Sequence, residues 1–401
     1  MVDIDDMAGD DFEQAYEARR RSFGSAGVTF ESWCTIYEQS VSDRLALVAR
    51  DGSTVVASAR ILPLRQWWHG RAVPMGGVGG VVVAPEARGR GVARALMTAV
   101  LQRIGERGDP ISMLYPATVP LYRSVGWELA GRRRTIEMAS SVARTLADGD
   151  GGAAGSVRRC ERGDAEAVIA TLGGFHAAAR HGGPIEWDVP QWERTISDVD
   201  TFTYLTDDGG FVAYEFEDHG HDSVLDVSHL VASSPATTRA LWSMVGSGSS
   251  TAPTLRATVA PDDPLPWLGR EQYVRVHREL WWMLRIVDHA TAIAARGFPA
   301  SVTAVIPVHV TDTMLPDNGG DRVIRVGEGG GTLERVDDTG RRAGRATAMR
   351  LRLDANGIAA LYAGVPSWTR RSAGLVHDGS PELDDACDAA FATTAFSLDY
   401  F

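Results

Sequence analysis

Hydrophobic and polar positions switch along this chain between a period of two and a period near 3.6, the signatures of half-buried strands and amphipathic helices. In residues 1–140 the switching is regular. Asp10–Arg21 reads as a helix with an acidic first turn. Leu45–Ala49 and Val55–Ile61 are short apolar runs split by Asp51-Gly52, a hairpin-type turn. Ala72–Val83 is a long strand ending in Val81-Val82-Val83, and Ala84-Pro85-Glu86-Ala87 and Arg88-Gly89-Arg90-Gly91 come after it. A helix is predicted from Val92 to Arg107. Its Val92, Leu96, Val100 and Ile104 recur at i, i+4, flanked by Ala93, Met97 and Leu101, while Arg94, Thr98 and Gln102 fall on the other face. Ile111–Tyr115 and Arg133–Met138 read as strands.

Residues 147–156 have no apolar periodicity and read as a linker. The same order of elements then recurs loosely: a helix near 164–173, a hairpin of Phe202–Leu205 and Phe211–Phe216 through Asp207-Asp208-Gly209-Gly210, a strand Val224–Val231, a helix Thr237–Val245 and a strand Thr254–Val259. The match is in element order, not in residues, and reads as a degenerate repeat. From about 287 the pattern changes. Asp288–Arg296 is a helix with Asp288 at its N-cap. Val302–Val310, Val323–Val326, Thr332–Val336 and Thr347–Leu353 are strands, and Asp354–Tyr362 and Glu382–Ala390 are helices. The tail from Thr394 is apolar and aromatic up to Phe401, where chain ends are normally polar and frayed. Such an end is expected to be packed inside something.

Length and composition narrow the class. At 401 residues the chain exceeds an ordinary single core, so two or three domains are expected. It is 44% hydrophobic and 23% charged, a globular composition. A net charge of −12 argues against nucleic acid, whose binders carry a basic face, and suits cationic partners such as amines. All 40 basic side chains are arginine, which excludes catalysis through a lysine Schiff base. The three cysteines are scattered, without a C-x-x-C pair, which fits neither a disulfide framework nor a zinc cluster. The acidic start Met1–Asp6 is not a signal peptide, and no run approaches a membrane span. A soluble, cytoplasmic protein with no nucleic-acid or membrane partner is expected.

Chemistry concentrates at Val81-Val82-Val83 and Arg88-Gly89-Arg90-Gly91-Val92-Ala93, which fit R-x-x-G-x-G/A at the head of a helix. Glycine lets a backbone approach phosphate oxygens, and a helix N-terminus offers unpaired N–H groups with a partial positive charge. Arg88 and Arg90 can add charge-assisted contacts. An ordinary glycine turn between strand and helix has the same letters. A second motif tells against that plainer reading: after the next strand comes Leu121-Tyr122-Arg123-Ser124-Val125-Gly126-Trp127-Glu128. Together these motifs resemble the GNAT acetyltransferase superfamily. The resemblance implies an acyl-CoA, foremost acetyl-CoA, as cosubstrate. It implies that backbone groups near Val81 and Val83 hold the pantetheine arm, with Val82 and Ala117 in the same cofactor region. It implies that Tyr122, in the Y-x-x-x-G motif, protonates the departing thiolate; a core aromatic is the alternative for Tyr122.

Over its full length the chain resembles the Eis (enhanced intracellular survival) family. The residues that carry this are Val81-Val82-Val83-Ala84-Pro85 with Arg88, Leu121-Tyr122-Arg123 with Gly126, and Leu353–Gly364 in the last third. The implied fold is α/β (α+β). Residues 1–146 would be a catalytic GNAT domain, 156–286 a degenerate GNAT-like domain without cofactor loop, and 287–401 a sterol-carrier-like α/β domain. Ser233-Ser234-Pro235 stands where the second copy would need its glycine loop, so no cofactor is expected there. The resemblance also implies amine acceptors including aminoglycosides, direct attack by the amine, the Phe401 α-carboxylate as general base, and a homo-hexamer.

Some positions tell against an aminoglycoside. No acidic residue follows Phe23 in Phe23-Gly24-Ser25-Ala26-Gly27, and Tyr400, not a carboxylate, precedes the terminus. Phe23, Phe30 and Trp33 read equally as substrate-pocket wall or as core aromatics. His176 and His181 with Glu186 and Asp188 suit no common metal spacing, so no metal is expected. His219 and His221 read as an exposed hairpin tip, and Arg132-Arg133-Arg134 and Arg370-Arg371 as solvated or salt-bridged faces. The competing function is a non-catalytic binding protein that holds an apolar ligand in the C-terminal domain. A third reading keeps the chemistry with a longer acyl donor such as propionyl-CoA.

Overall fold

The computed structural model describes residues 2–24, 27–148, 155–217, 223–269, 274–336 and 350–401. Most of the expected linker (149–154), the tip with His219 and His221, and the start of the predicted strand at 347–349 lie outside the described residues. The alternating runs form β1 (Asp3–Asp6), β2 (Ala46–Asp51), β3 (Thr54–Trp68), β4 (Arg71–Val83), β5 (Ile111–Leu114), β6 (Glu128–Ala139), β7 (Val157–Arg159), β8 (Gly182–Glu186), β9 (Thr201–Thr206), β10 (Phe211–Glu217), β11 (Val224–Val231), β12 (Thr254–Val259) and β13 (Arg275–Ile286). Thirteen strands make one sheet in the order β1-β2-β3-β4-β5-β13-β6-β12-β11-β10-β9-β7, with β8 paired on β3. Near the C-terminus, β14 (Ala304–Thr311), β15 (Gly320–Gly327), β16 (Gly330–Arg335), β17 (Leu351–Asp354) and β18 (His377–Asp378) form a second sheet, ordered β16-β15-β14-β17-β18.

Several elements come directly from the pattern. The helix Val92–Arg107 buries Leu96, Met97, Val100, Leu101 and Ile104 against Val56, Ile61 and Val82 in one cluster. Asp288 caps the helix His289–Ala295 by accepting from the Thr291 N–H, and Asp354 caps Ala355–Tyr362 through Gly357. Others exceed it. β3 runs through Pro63 to Trp68 and turns into β4 at His69-Gly70, both with positive φ, as a two-residue hairpin turn requires. Pro63 is tolerated because β2 pairs with β3 only up to Arg60 and β8 only from Arg65, so its missing N–H faces no neighbouring strand.

β13 was not among the predicted strands. It enters between β5 and β6, antiparallel to both, and so completes the sheet of the first 140 residues from far along the chain. β6 pairs with β13 on one side and β12 on the other, which makes the tandem halves one continuous sheet. The helices Phe30–Ser42 and Val189–Ser197 were also unpredicted. Among the described residues no helix is long and apolar enough to cross a membrane.

The C-terminal domain is bolted to this sheet by a buried ion pair. Arg285 on β13 donates from Nη2 to both oxygens of Asp312, at 2.7 Å each, and both side chains are fully buried. Burial would raise the Asp312 carboxyl; the Arg285 guanidinium outweighs it and holds the carboxyl below its usual range. Nearby, Arg296 lies fully buried with its guanidinium 4.6–5.6 Å from the ring centroids of Tyr362, Phe298, Phe391 and Trp68, and donates to the Tyr362 carbonyl. The cavity beside these rings, lined by Leu361, Val365 and Phe391, holds about 220 Å³.

Asp312→Ala leaves Arg285 buried without a counter-charge. We expect a loss of about 3–5 kcal/mol, read as a lower denaturant midpoint. An unchanged midpoint would show that the pair does not join the domains energetically.

Candidate functional site

Two irregularities in β4 open a cleft. β4 pairs in parallel with β5 only from Met75 to Val78, where β5 ends at Leu114. Beyond that point the register with β3 slips, so Gly80 and Val81 together face Ala59. The sheet therefore parts between the end of β4 and β13. The cleft there holds about 440 Å³. Val78 to Val81 form one wall; Tyr115, Pro116, Ala117 and Tyr122 form the floor; Arg278, Leu280 and Trp281 of β13 face them; Phe23, Tyr400 and Phe401 close the rim.

At the phosphate-loop motif the helix Val92–Arg107 begins at Gly91, with φ +78° and no capping side chain. Gly89 has φ +74°, and a Cβ at either glycine would meet nothing within 4 Å. The positive φ calls for glycine here, and the Cβ positions of both glycines face open space. An uncapped N-terminus with such an approach suits an anion, so the loop fits a pyrophosphate. The arginines are otherwise engaged: Arg88 Nε donates to the Val83 carbonyl at 3.3 Å, and Arg90 pairs with Asp51 at 2.7 Å. The Val83 carbonyl also accepts from Ser22 Oγ at 3.1 Å, so it is already occupied. Val82 and Val92 turn into the core, and Val81, Val83 and Ala93 are half-buried.

The second half resolves the same position differently. The helix Pro235–Gly246 is capped by Ser234, whose Oγ accepts from the Thr237 N–H at 3.1 Å. The Thr237 hydroxyl donates to the Asp208 carboxylate, which also accepts from Thr206. Those hydrogen bonds hold the Asp208 carboxyl below its usual range. A carboxylate of the chain itself thus sits where the first half leaves room for a phosphate.

Tyr122 is buried, and its pKa is pushed up to about 12 by burial. It keeps its proton throughout the physiological range. Phe401 reaches the same cleft. A Cβ on Gly77 would lie 2.9 Å from the Phe401 ring, so glycine is required for the ring to lie on β4, and the Phe401 carboxyl carbon is 3.9 Å from the Cβ position of Gly79. The tail is bridged to β8 and β6: Phe396 N–H donates to the Gly182 carbonyl (3.0 Å), Ser397 N–H to the Arg132 carbonyl (3.1 Å), and Arg132 N–H to the Ala395 carbonyl (3.3 Å). Arg133 Nε donates to the Leu398 carbonyl at 2.9 Å. The Tyr115 hydroxyl donates to the Asp399 carbonyl at 2.6 Å. The Asp399 carboxylate accepts from Trp187 Nε1 at 2.7 Å and lies 3.3 Å from His229 Nε2. Burial works to raise that carboxyl, but His229 and the Trp187 N–H hold it below the usual carboxylate range.

Of the expected pocket-wall aromatics, only Phe23 lines the cleft. Trp33 is buried, stacked on Tyr37 at 4.1 Å with Phe12 at 5.6 Å, and Phe30 packs on Tyr16 at 5.3 Å. Both sit on the stripe by which the helix Phe30–Ser42 docks on Phe12–Phe23, so they serve helix packing. His176 and His181 touch at 3.1 Å between Nδ1 atoms, and burial first, then His181, pushes the His176 pKa down to about 3. Among the described residues no three His, Cys, Asp or Glu side chains gather as a metal site would require. Sequence reasoning missed Tyr115, Arg278, Trp281, Trp187 and His229. Arg278 and Trp281 lie on the unpredicted β13, and the others meet the tail only through the fold.

Comparison with known proteins places these features. Residues 3–130 match a family model described as an acetyltransferase (GNAT) domain, 183–286 a second acetyltransferase (GNAT) domain, and 290–396 a sterol carrier protein domain. The solved structure of a GCN5-related N-acetyltransferase from Kribbella flavida superposes with a TM-score of 0.91 at 38% identity, over 100% of this chain and 98% of that one. A protein of Streptomyces avermitilis named as an uncharacterized N-acetyltransferase is 29% identical over 90% of each chain. The protein named N-acetyltransferase Eis of Mycobacterium tuberculosis is 28% identical over 87% of each chain.

Asp399→Ala removes the acceptor of Trp187 and His229 and leaves both without their partner. We expect a destabilisation of about 1–3 kcal/mol and faster removal of Phe401 by carboxypeptidase, followed by mass spectrometry. A tail cleaved no faster than in the parent would mean that other contacts alone hold it.

Proposed function

The chain belongs to the GCN5-related N-acetyltransferase (GNAT) family, and on that premise we propose that it moves an acetyl group from acetyl-CoA to a primary amine by direct attack. The observation that carries this reading is the meeting of Tyr122 and the chain end Phe401 in one cleft, beside an uncapped helix N-terminus. GNAT acetyltransferases use acetyl-CoA, which supplies an acetyl group activated as a thioester. The N–H groups at Gly91 to Ala93 would hold its pyrophosphate, and the half-buried backbone from Val81 would line its arm. A hexameric assembly belongs to the same family-based reading.

The residues then divide the work. Solvent takes the first proton of the incoming ammonium; the Phe401 carboxylate orients the free amine and accepts the second proton, directly or through water, as the nitrogen becomes positive on attack. The amine nitrogen forms the new N–C bond as the C–S bond breaks. Tyr122 donates its phenolic proton to the sulfur, which leaves with the electron pair of that bond, and solvent reprotonates the phenolate. A buried phenol is a weak acid but is always protonated at neutral pH, and it can hydrogen-bond to sulfur as charge develops.

Tyr122→Phe removes only the hydroxyl. Turnover should fall roughly 10²–10⁴-fold with acetyl-CoA affinity nearly kept. Because the phenol titrates near 12, the parent's kcat/KM should rise with pH as the free amine fraction grows, with no falling limb from Tyr122 until that pH is approached. A variant that keeps most of its turnover would reduce Tyr122 to a wall residue.

Adding one or two glycines after Phe401 displaces the carboxylate and keeps every side chain. We expect a large loss of turnover with unchanged melting temperature and unchanged acetyl-CoA affinity by calorimetry. Full activity in the extended protein would leave the terminus without a catalytic role.

A further inference from the structure

The cleft's lining narrows the acceptor. Resting on the acetyltransferase reading above, we propose that the acceptor is a monoamine with an aromatic or apolar body, and that polycationic amines are poor substrates. The first argument is apolar surface. Three aromatic side chains at the cleft remain well exposed: Phe23 at 55%, Trp281 at 42% and Tyr400 at 63%. Large apolar groups scattered singly on a surface need no explanation, but these converge on one cleft and gain when a ligand covers them. Arg132 lies 4.2 Å from the ring centroid of Trp281 and takes one face of it, so the other face is the one open to a flat partner.

The second argument is charge. Among the described residues that line the cleft, the charged side chain is a cation, Arg278. It is exposed and makes no ion pair with any described residue. Among the described lining residues the negative charge is the terminal carboxylate of Phe401. One carboxylate matches one ammonium. A second ammonium on the acceptor would find no further carboxylate among those residues and would meet the Arg278 guanidinium, a like-charge contact that disfavours binding. A polycation such as an aminoglycoside needs several carboxylates, and the neighbouring one on the tail, Asp399, is already taken by Trp187 and His229.

The test measures CoA release at saturating acetyl-CoA with phenethylamine and tryptamine against spermidine and kanamycin. It is paired with calorimetry of the same amines on protein saturated with CoA. We expect kcat/KM for the aromatic monoamines to exceed that for the polycations by about tenfold or more, the scale of one stacking or like-charge contact. Trp281→Ala should lower kcat/KM for tryptamine by about tenfold, and Arg278→Glu should raise it for spermidine by a similar factor. Spermidine or kanamycin turned over faster than both monoamines would overturn the proposal, as would an Arg278→Glu variant with an unchanged preference. Acetyl-CoA that binds while no amine binds or reacts would also overturn it. Failure of acetyl-CoA itself to bind would instead remove the acetyltransferase reading on which it rests.

Discussion

The cleft's rim depends on how Asp399 holds the tail. Ala395 and Phe396 bridge to Gly182 of β8 and Arg132 of β6 and tie the tandem sheet to the domain that precedes the tail. Backbone bonds alone would leave the last residues free to fray. The Asp399 carboxylate prevents this by binding Trp187 and His229, both from the second half, while its carbonyl accepts from Tyr115 of the first. One residue therefore fixes the tail against both halves, two positions before the carboxylate. Phe401 enters the cleft on the glycine-rich stretch of β4, which lets its ring lie against the strand.

Two acetyltransferase-type domains in one chain raise the question of what distinguishes them. The difference lies at a single helix N-terminus. In the first half the Cβ positions of two glycines with positive φ face open space, and no side chain caps the helix. In the second, Ser234 caps the helix and Asp208 binds Thr237. A helix end attracts negative charge in either case. When the chain supplies that charge itself, the end gains stability. The second half also contributes structure: β13 to the first sheet, and Trp187 and His229 to the tail.

Much of this was legible in the sequence where the interactions are local. The helix Val92–Arg107 was predicted with its observed bounds because its apolar face repeats along sixteen residues. The tail's burial was legible because water would not tolerate so many apolar groups at an end. What escaped depends on distant partners. Arg275, His277, Arg278 and Glu279 disguise β13 as a polar loop, yet it is a strand because β5 and β6 supply its hydrogen bonds. Phe30 and Trp33 are spaced i, i+3 on a helix, which serves a pocket wall and a helix interface alike. Only the position of the neighbouring helix decides between them. The partners of Asp399 lie some two hundred residues away, beyond any periodicity.

The C-terminal domain braces the cleft. Inside it Arg296 packs among four aromatic rings. Arg285, Arg296 and Arg370 are all fully buried, and a chain without lysine can do this because guanidinium is weakly hydrated, planar and able to stack. Each finds its own compensation: Asp312 for Arg285, rings and a carbonyl for Arg296, and Asp388 at 2.9 Å for Arg370. The consequences reach the cleft by two routes. Arg285 packs beneath Gly126, and Asn356 donates to the Trp127 carbonyl at 2.9 Å, so the turn after Tyr122 rests on this domain. The same domain leads into the tail that delivers Phe401. Tyr122 and Phe401 are thus both held from outside the sheet that forms the cleft. Under the proposed mechanism, rigidity in the third domain acts through position, since proton transfer requires both groups to stay within hydrogen-bond reach of the reacting atoms.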